Sequence, residues 1–430
     1  MQDLTGKRLL VLGGAFQHCK VVEAAKELGV TVIVTDYLPV EQAPAKQIAD
    51  KYYMHNITDI DEIVAMCREE NVDGVMALCL DACQRPYQQI CEKLQVPCFG
   101  TKEQFRILTD KNAFKRACVA NGVDIIPEYH LADFESGEIC TARVEFPVLV
   151  KPCDSRGSRG QTICWCYEEA LTAISFAKSE SSTGEVVIER YMGNQNDFSM
   201  SYVMIDGEAY LTRTGDRFLG DPKDKMEKLA IAGVSPSKNA KFYLEKVNER
   251  VVNMLQNIGL KTGPVFMQGF IDGDTVRFYD PGLRFPGIEY ERMYEAIYGI
   301  NPIKALVEFA LTGNVSEEYK AMDRNAMLNG KIAVDLLVCI RPGTIKAVYG
   351  EEEIRNHPKV ISMFTKYHAG DTIGMHYNVN QRFCEIDIVC NNKEEMRQTI
   401  DWVYETLRVV DVNGDNMVFS KLDTQCFAEC

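Results

Sequence analysis

Phe146-Pro147-Val148-Leu149-Val150-Lys151-Pro152-Cys153-Asp154-Ser155-Arg156-Gly157-Ser158-Arg159-Gly160 is the stretch that decides how this chain is read. An apolar run ends in Lys151, Pro152 stops the strand, and a polar loop with Gly157 and Gly160 follows. A strand that ends this way brings an ammonium and backbone N–H groups to one point, which is how a phosphate is held. A surface lysine after an edge strand is the plainer reading of Lys151 taken alone.

Upstream, residues 7–100 alternate short apolar runs with helical periods: Arg8 to Gly13, Cys19 to Leu28, Thr31 to Asp36, Ile60 to Glu70, Gly74 to Leu78 and Tyr87 to Leu94. That rhythm predicts a parallel sheet flanked by helices. Gly13-Gly14 lies at the first strand-to-helix turn, but the following Ala-Phe-Gln-His-Cys lacks the spaced glycines of a dinucleotide fingerprint, which weakens a dehydrogenase reading. Asp36, at a strand end, fits a ribose contact or a turn former equally, and Asp81 fits a substrate wall.

Between these regions, Thr109-Asp110-Lys111-Asn112-Ala113 reads as a capped helix start, with Lys111 in the first turn. A cation there opposes the helix dipole unless an anion sits nearby, so Lys111 is either a phosphate ligand or a solvated lysine.

Downstream, a helix over 168–178, strands over 185–189 and 198–205, and a hairpin turn at Asp206-Gly207 are expected. One amphipathic helix over 240–258 and a hairpin of 263–271 with 275–280 follow, then Pro281-Gly282-Leu283-Arg284-Phe285-Pro286-Gly287 interrupts the chain. From 330 the pattern changes to strands at 331–340, 345–349 and 382–390 and helices at 354–364 and 393–407, which reads as a separate α+β domain.

Composition excludes several classes. The chain has 430 residues, 46% hydrophobic and 25% charged, enough for roughly two to four domains. Net charge −15 argues against a nucleic-acid partner, which requires a concentrated basic face. No apolar run reaches the roughly 18 residues of a membrane span, and the N-terminus carries no signal-peptide pattern, so the expected location is cytoplasmic. The cysteines lie singly in hydrophobic runs, as reduced core residues do, and Cys164-Trp165-Cys166 has no histidine near it in sequence to complete a metal site.

Taken in order, a lysine near a helix start, a lysine ending a strand before a glycine loop, a Glu-Arg-Tyr-Met strand end and an acid-Pro-x-x-Arg segment resemble the ATP-grasp superfamily of carboxylate-amine ligases. The style is closest to its L-amino acid ligase and carbamoyl-phosphate-synthase-like branch. The resemblance implies mixed α/β and α+β architecture: a parallel pre-ATP-grasp α/β domain over 1–105, an ATP-grasp domain of two α+β subdomains over 106–325 with a lid at about 119–190, and a small α+β domain over 326–430. The tail's Arg341-Pro342-Gly343 hairpin followed by Gly350-Glu351 is similar to that branch's C-terminal domain.

By the same resemblance, Lys111 and Lys151 contact nucleotide phosphates, and the loop bearing Asp154, Ser155, Gly157, Ser158, Arg159 and Gly160 closes over them. Glu189, Arg190, Tyr191 and Met192 form the adenine hinge through backbone groups of Arg190 and Met192. Asp197 matches the carboxylate that receives the ribose hydroxyls, where Glu is more usual. Gln268 and Asp280 match metal-ligand positions for Mg2+ or Mn2+. Gly282 stands where the family carries a metal-binding Asn, which leaves the number of metals open. Arg284 matches the arginine that steadies transferred charge, with an ion pair to Glu289 or Asp280 as its plain alternative.

The expected activity is ATP-dependent activation of a carboxylate as an acyl phosphate, opened by an amine to release ADP and phosphate, with amino acids as the first substrate class. Two alternatives stay open: a non-catalytic ATP-binding protein with a degenerate metal site, and a ligase of purine-precursor or carbamate type. Arg217, in a loop expected over 215–220, and Glu289 are the candidate substrate contacts, with a solvated loop as the bland reading. Partners are ATP and small molecules, with no nucleic acid or membrane; a homodimer stays open.

Overall fold

A computed structural model of the protein describes residues 2–135, 144–152, 160–181, 183–193, 197–224, 226, 229–288, 290–374 and 379–427. The N-terminal strands β1 (Arg8–Leu12), β2 (Thr31–Thr35), β3 (Lys51–Tyr53) and β4 (Gly74–Met76) pair in parallel in the order β3-β2-β1-β4. Residues Leu9 to Leu12 and Val32 to Val34 are all buried. Their unbroken apolar runs arise because helices cover both faces of a parallel sheet. The helix expected from Tyr87 begins earlier, at Asp81, and runs to Leu94 with Pro86 inside it.

A second sheet is antiparallel: β5 (Glu128–Tyr129), β6 (Val148–Pro152), β7 (Thr162–Cys164) and β8 (Val186–Arg190), in the order β5-β8-β6-β7. Helix Tyr167–Glu180 packs on it through Ala170, Ala173, Ile174 and Ala177, around Phe134, Val148, Val150 and Ile188. These strands fall within the span expected for a lid.

The remaining strands build one large sheet. β9 (Asp197–Ile205) and β10 (Glu208–Leu219) turn at Asp206-Gly207, both at positive φ. β11 (Ala230–Ser235), β12 (Gly263–Asp272), β13 (Thr275–Gly282) and β14 (Ile332–Ile340) follow. β15 (Gly343–Tyr349), β16 (Val360–Thr365), β17 (Thr372–Ile373), β18 (Arg382–Cys390), β19 (Arg408–Asp411) and β20 (Val418–Phe419) complete the chain. The large sheet runs β13-β12-β9-β10-β11-β14-β18-β16, with β20 beside β14; β17-β15-β19 stand apart.

Residues 326–430 carry much of a second core, including Leu336, Ile386, Ile400 and Val403; their β14 joins the large sheet through β11, while β15, β17 and β19 form a sheet of their own. Three expectations need correction. The stretch 215–220, expected as a loop, is strand up to Leu219. The helix expected over 354–364 is a short helix, Glu351–Arg355, followed by strand β16. Pro358 explains the change, since it cannot donate to a helix and disfavours α conformation at His357. The single helix over 240–258 is two, Ala240–Lys246 and Asn248–Asn257, broken at Val247 (φ −123°).

Candidate active site

Two rungs across the large sheet position the chemistry. On one, Asp280 faces Gln268, Gln268 faces Ser199, and Ser199 faces Gly215. On the other, Arg217 faces Gly233, Gly233 faces Asp335, and Asp335 faces Asp387. Residues directly opposite in antiparallel strands share a face, with Cβ atoms about 4.5–5.5 Å apart. The sheet thereby brings Gln268 and Asp280 together as a carboxylate and an amide oxygen on neighbouring strands.

Lys111 Nζ lies 3.6 Å from Asp280 Oδ1. Asp110 caps its helix by accepting from the Ala113 N–H at 2.7 Å. Burial pushes the Asp280 carboxyl above the ordinary aspartate range, Asp81 adds to the rise, and Lys111 and Arg284 pull against it. A site that destabilises its own carboxylate in this way is suited to a cation.

At the end of β6, Lys151 forms an ion pair with Glu189 of β8, a residue only 4% exposed. Lys115 reaches the same carboxylate at 3.5 Å and also pairs with Glu128. The sequence reading missed Lys115, although its place four residues after Lys111 puts both on one helix face. Gly160 has φ +70°, and a Cβ there would come within 2.8 Å of Pro152 Cγ, so glycine is required where the chain re-enters β7. Asp154, Ser155, Gly157, Ser158 and Arg159 lie outside the described residues, as do Glu289 and residues 194–196.

The expected hinge is partly engaged already. The Arg190 N–H donates to the Pro127 carbonyl and the Tyr191 N–H to the Pro147 carbonyl, both at 2.9 Å. The Arg190 guanidinium pairs with Asp272 and with Glu145 at 3.1 Å, and it donates to the Met192 sulfur at 3.4 Å. Asp197 and Arg217, expected in separate roles, form one ion pair at 2.8 Å, and the Tyr279 hydroxyl lies 3.4 Å from Asp197. Burial again raises the Asp197 carboxyl.

Arg284 is 9% exposed, and its Nε lies 2.5 Å from Asp81 Oδ1. It also donates to the Phe285 carbonyl at 3.1 Å and lies 5.3 Å from the centre of the Phe266 ring. Among the described residues the ion-pair partner is thus Asp81 of the N-terminal domain rather than Asp280. Gly282 makes this path possible, because a Cβ there would sit 2.8 Å from Arg284 Cγ.

Gln268 and Arg284 line a cavity of about 300 Å³ together with Arg213, Arg217, Arg382 and Asp335. Sequence reasoning missed Arg213, Asp335 and Arg382. Arg213 and Asp335 interrupt otherwise buried strands with charge, and a charged residue inside such a run was the available signal. Arg213 Nη1 donates to Ser199 Oγ at 2.8 Å, and burial lowers the affinity of its guanidinium for its proton. A second cavity of about 500 Å³, walled by Phe16, Leu38, Phe364 and Phe383, shares Gln17 and Arg382 with the first.

Among the described residues no group of three or more His, Cys, Asp and Glu side chains is placed to hold a metal, and no helix is long and apolar enough to cross a membrane. The hard oxygen pair Gln268 and Asp280 fits Mg2+, which keeps water and phosphate oxygens as its other ligands.

Residues 9–82 match the family described as PylC-like, N-terminal domain, and residues 110–266 match the carbamoyl-phosphate synthase L chain, ATP binding domain. The carbamoyl phosphate synthase large chain of Clostridium botulinum is 24% identical over 271 residues, 60% of this chain. The present chain spans only 25% of that relative's length. Phosphoribosylglycinamide synthetase from Anaerococcus prevotii superposes with TM-score 0.77 at 17% identity, covering 94% of this chain and 99% of that one. L-amino acid ligase from Bacillus licheniformis superposes with TM-score 0.74 at 17% identity, covering 95% and 99%. Residues 110–266 thus form an ATP-grasp domain of the carbamoyl-phosphate-synthase type, behind a PylC-like N-terminal domain over residues 9–82.

Proposed function

We propose that this protein is an ATP-dependent carboxylate-amine ligase that takes amino acids as substrates. The observation carrying this reading is the arginine-lined cavity, bounded by Gln268 and Arg284 and sharing the lining residues Gln17 and Arg382 with the second cavity. Two adjoining chambers suit two substrates. A volume of about 300 Å³ exceeds what formate or bicarbonate needs and fits a small amino acid.

In this reading Lys111 and Lys151 neutralise the triphosphate, the loop over 154–160 covers it, and Asp197 meets the ribose. Asp280 and Gln268 would hold Mg2+, which would supply charge neutralisation at the phosphate oxygens. A carboxylate oxygen of the first substrate attacks the γ-phosphorus and ADP leaves. Arg284 grips the acyl phosphate with its planar guanidinium. The amine of the second substrate attacks the acyl carbon, the C–O bond to phosphate breaks, and the amine gives up its proton as the amide forms. The domain boundaries 1–105, 106–325 and 326–430 are part of this proposal as functional divisions, the last supplying Asp335 and Arg382 to the cavity.

Incubation with ATP, Mg2+ and pooled amino acids should release ADP, and hydroxylamine should trap the activated acid as a hydroxamate. ATP binding without either product would instead favour a non-catalytic nucleotide-binding role, the reading that Gly282 at the asparagine position supports.

A further inference from the structure

We propose that Asp335 is the receptor for the ammonium group of the amino acid whose carboxylate is activated, a role that rests on the ligase reading above. Asp335 is 1% exposed, lines the cavity of about 300 Å³, and neither of its carboxylate oxygens has a hydrogen-bond partner among the described residues. A carboxylate removed from water and left without donors is unfavourable until a cation or donor enters. Among the described residues no neighbouring side chain donates to it: Gly233, directly opposite on β11, carries none, Asp387, directly opposite on β18, is itself a carboxylate, and Leu337 follows on the same face of β14.

The rest of the wall has the opposite sign. Arg213, Arg217, Arg284 and Arg382 line the same space. Arg217 is paired with Asp197, Arg284 with Asp81, and Arg382 lies 3.8 Å from Glu385. A simple carboxylic acid would use the guanidinium groups and leave Asp335 unmet. An amino acid uses both: its ammonium lies toward Asp335 and its carboxylate toward the guanidinium groups that share the cavity, of which Arg213 Nη2 comes 3.5 Å from the point where a Gly233 Cβ would stand. The fit also has a chemical consequence. An ammonium held against a buried carboxylate stays protonated and has no lone pair, so the activated amino acid does not attack a second copy of its own acyl phosphate.

Burial and the neighbouring Glu385 push the Asp335 carboxyl up to about 7, while Arg382, Arg213 and Lys20 act against the rise. That shift accords with a site awaiting positive charge.

The test is calorimetric titration of the full chain, without ATP, using pools of amino acids and matching pools of their des-amino acids, on wild type and on Asp335→Asn and Gly233→Ala. The asparagine keeps the shape and removes the charge. The alanine places a methyl group 3.9 Å from Asp335 Cβ and 3.5 Å from Arg213 Nη2, an ordinary contact that narrows the cavity floor without strain. Wild type should bind the amino-acid pool and prefer it to the des-amino pool by about tenfold or more, Asp335→Asn should abolish that preference, and Gly233→Ala should weaken binding. ATP affinity, measured in parallel, should be unchanged in both variants. Equal binding of the two pools by wild type, no binding of either pool, or a preserved preference in Asp335→Asn overturns the assignment. Because the readout is binding, a protein that recognises amino acids through Asp335 yet makes no amide would sink the ligase reading and leave Asp335 as an ammonium receptor without an activated substrate.

Discussion

Arg284, just after β13, and Asp81 at the start of an N-terminal helix are joined at 2.5 Å, so the side chain proposed to steady an acyl phosphate is held by the neighbouring domain. Asp81 is 71% exposed as a side chain, which makes the pair a weak contributor to stability but a direct constraint on the guanidinium. Arg284→Ala should lower turnover by about 10²-fold or more while ATP affinity stays within about twofold. Asp81→Asn should leave the melting temperature nearly unchanged and alter the KM of the carboxylate substrate. Steady-state kinetics beside a thermal melt reads both.

Gly282 sets a trade between the arginine and the metal. Gly282→Asn would supply an oxygen ligand near Asp280 but place its Cβ against Arg284 Cγ at 2.8 Å. The expected result is tighter apparent Mg2+ binding with turnover reduced by about tenfold. A variant faster than wild type at saturating Mg2+ would show that the arginine does not need its present path.

Lys151 and Lys115 share Glu189 but should behave differently when removed. Lys151→Ala should abolish amine-dependent ADP release and leave the fold intact, since Lys115 still meets the buried carboxylate. Lys115→Ala should cost about 1–3 kcal/mol of stability, because Glu128 and Glu189 both lose a partner that is itself buried. Chemical denaturation separates the two.

Asp335 gives the unliganded protein a pH signature. Its carboxyl rises on folding from about 4 to about 7, so the native state binds more protons than the unfolded chain between these values. Stability therefore falls as pH increases through that window, and the loss is complete above it. Glu385, Asp280 and Asp197 shift in the same direction. Melting temperatures at pH 5, 6, 7 and 8 should decline less steeply in Asp335→Asn than in wild type, and identical slopes would count against an unpaired carboxylate at this position.

Local chemistry made some of these features legible from residue order alone. Lys151 before Pro152, Asp110 before Lys111, and the Asp206-Gly207 turn are signals carried within a few positions, and the elements around them formed where expected. Gln268 and Asp280 were paired by the hairpin that joins their strands. Arg284 with Asp81 and Asp197 with Arg217 were not foreseen, because those contacts depend on docking between domains and on strand pairing across the sheet. Asp335 and Arg213 stayed hidden for a related reason. Asp335 is a lone charge in an apolar run, Arg213 stands between two threonines, and only the approach of both to Gly233 reveals that they border the same space.

The bond ladder between β11 and β14 has a practical meaning for anyone recombining enzymes of this architecture. Cutting the gene before residue 326 would strip one flank from β11 and leave its amide edge raw, an invitation to aggregation. Grafted tails would have to arrive with a matching strand in the same alignment. Exchange of substrate preference by transplanting the tail therefore depends on preserving that edge-to-edge seam.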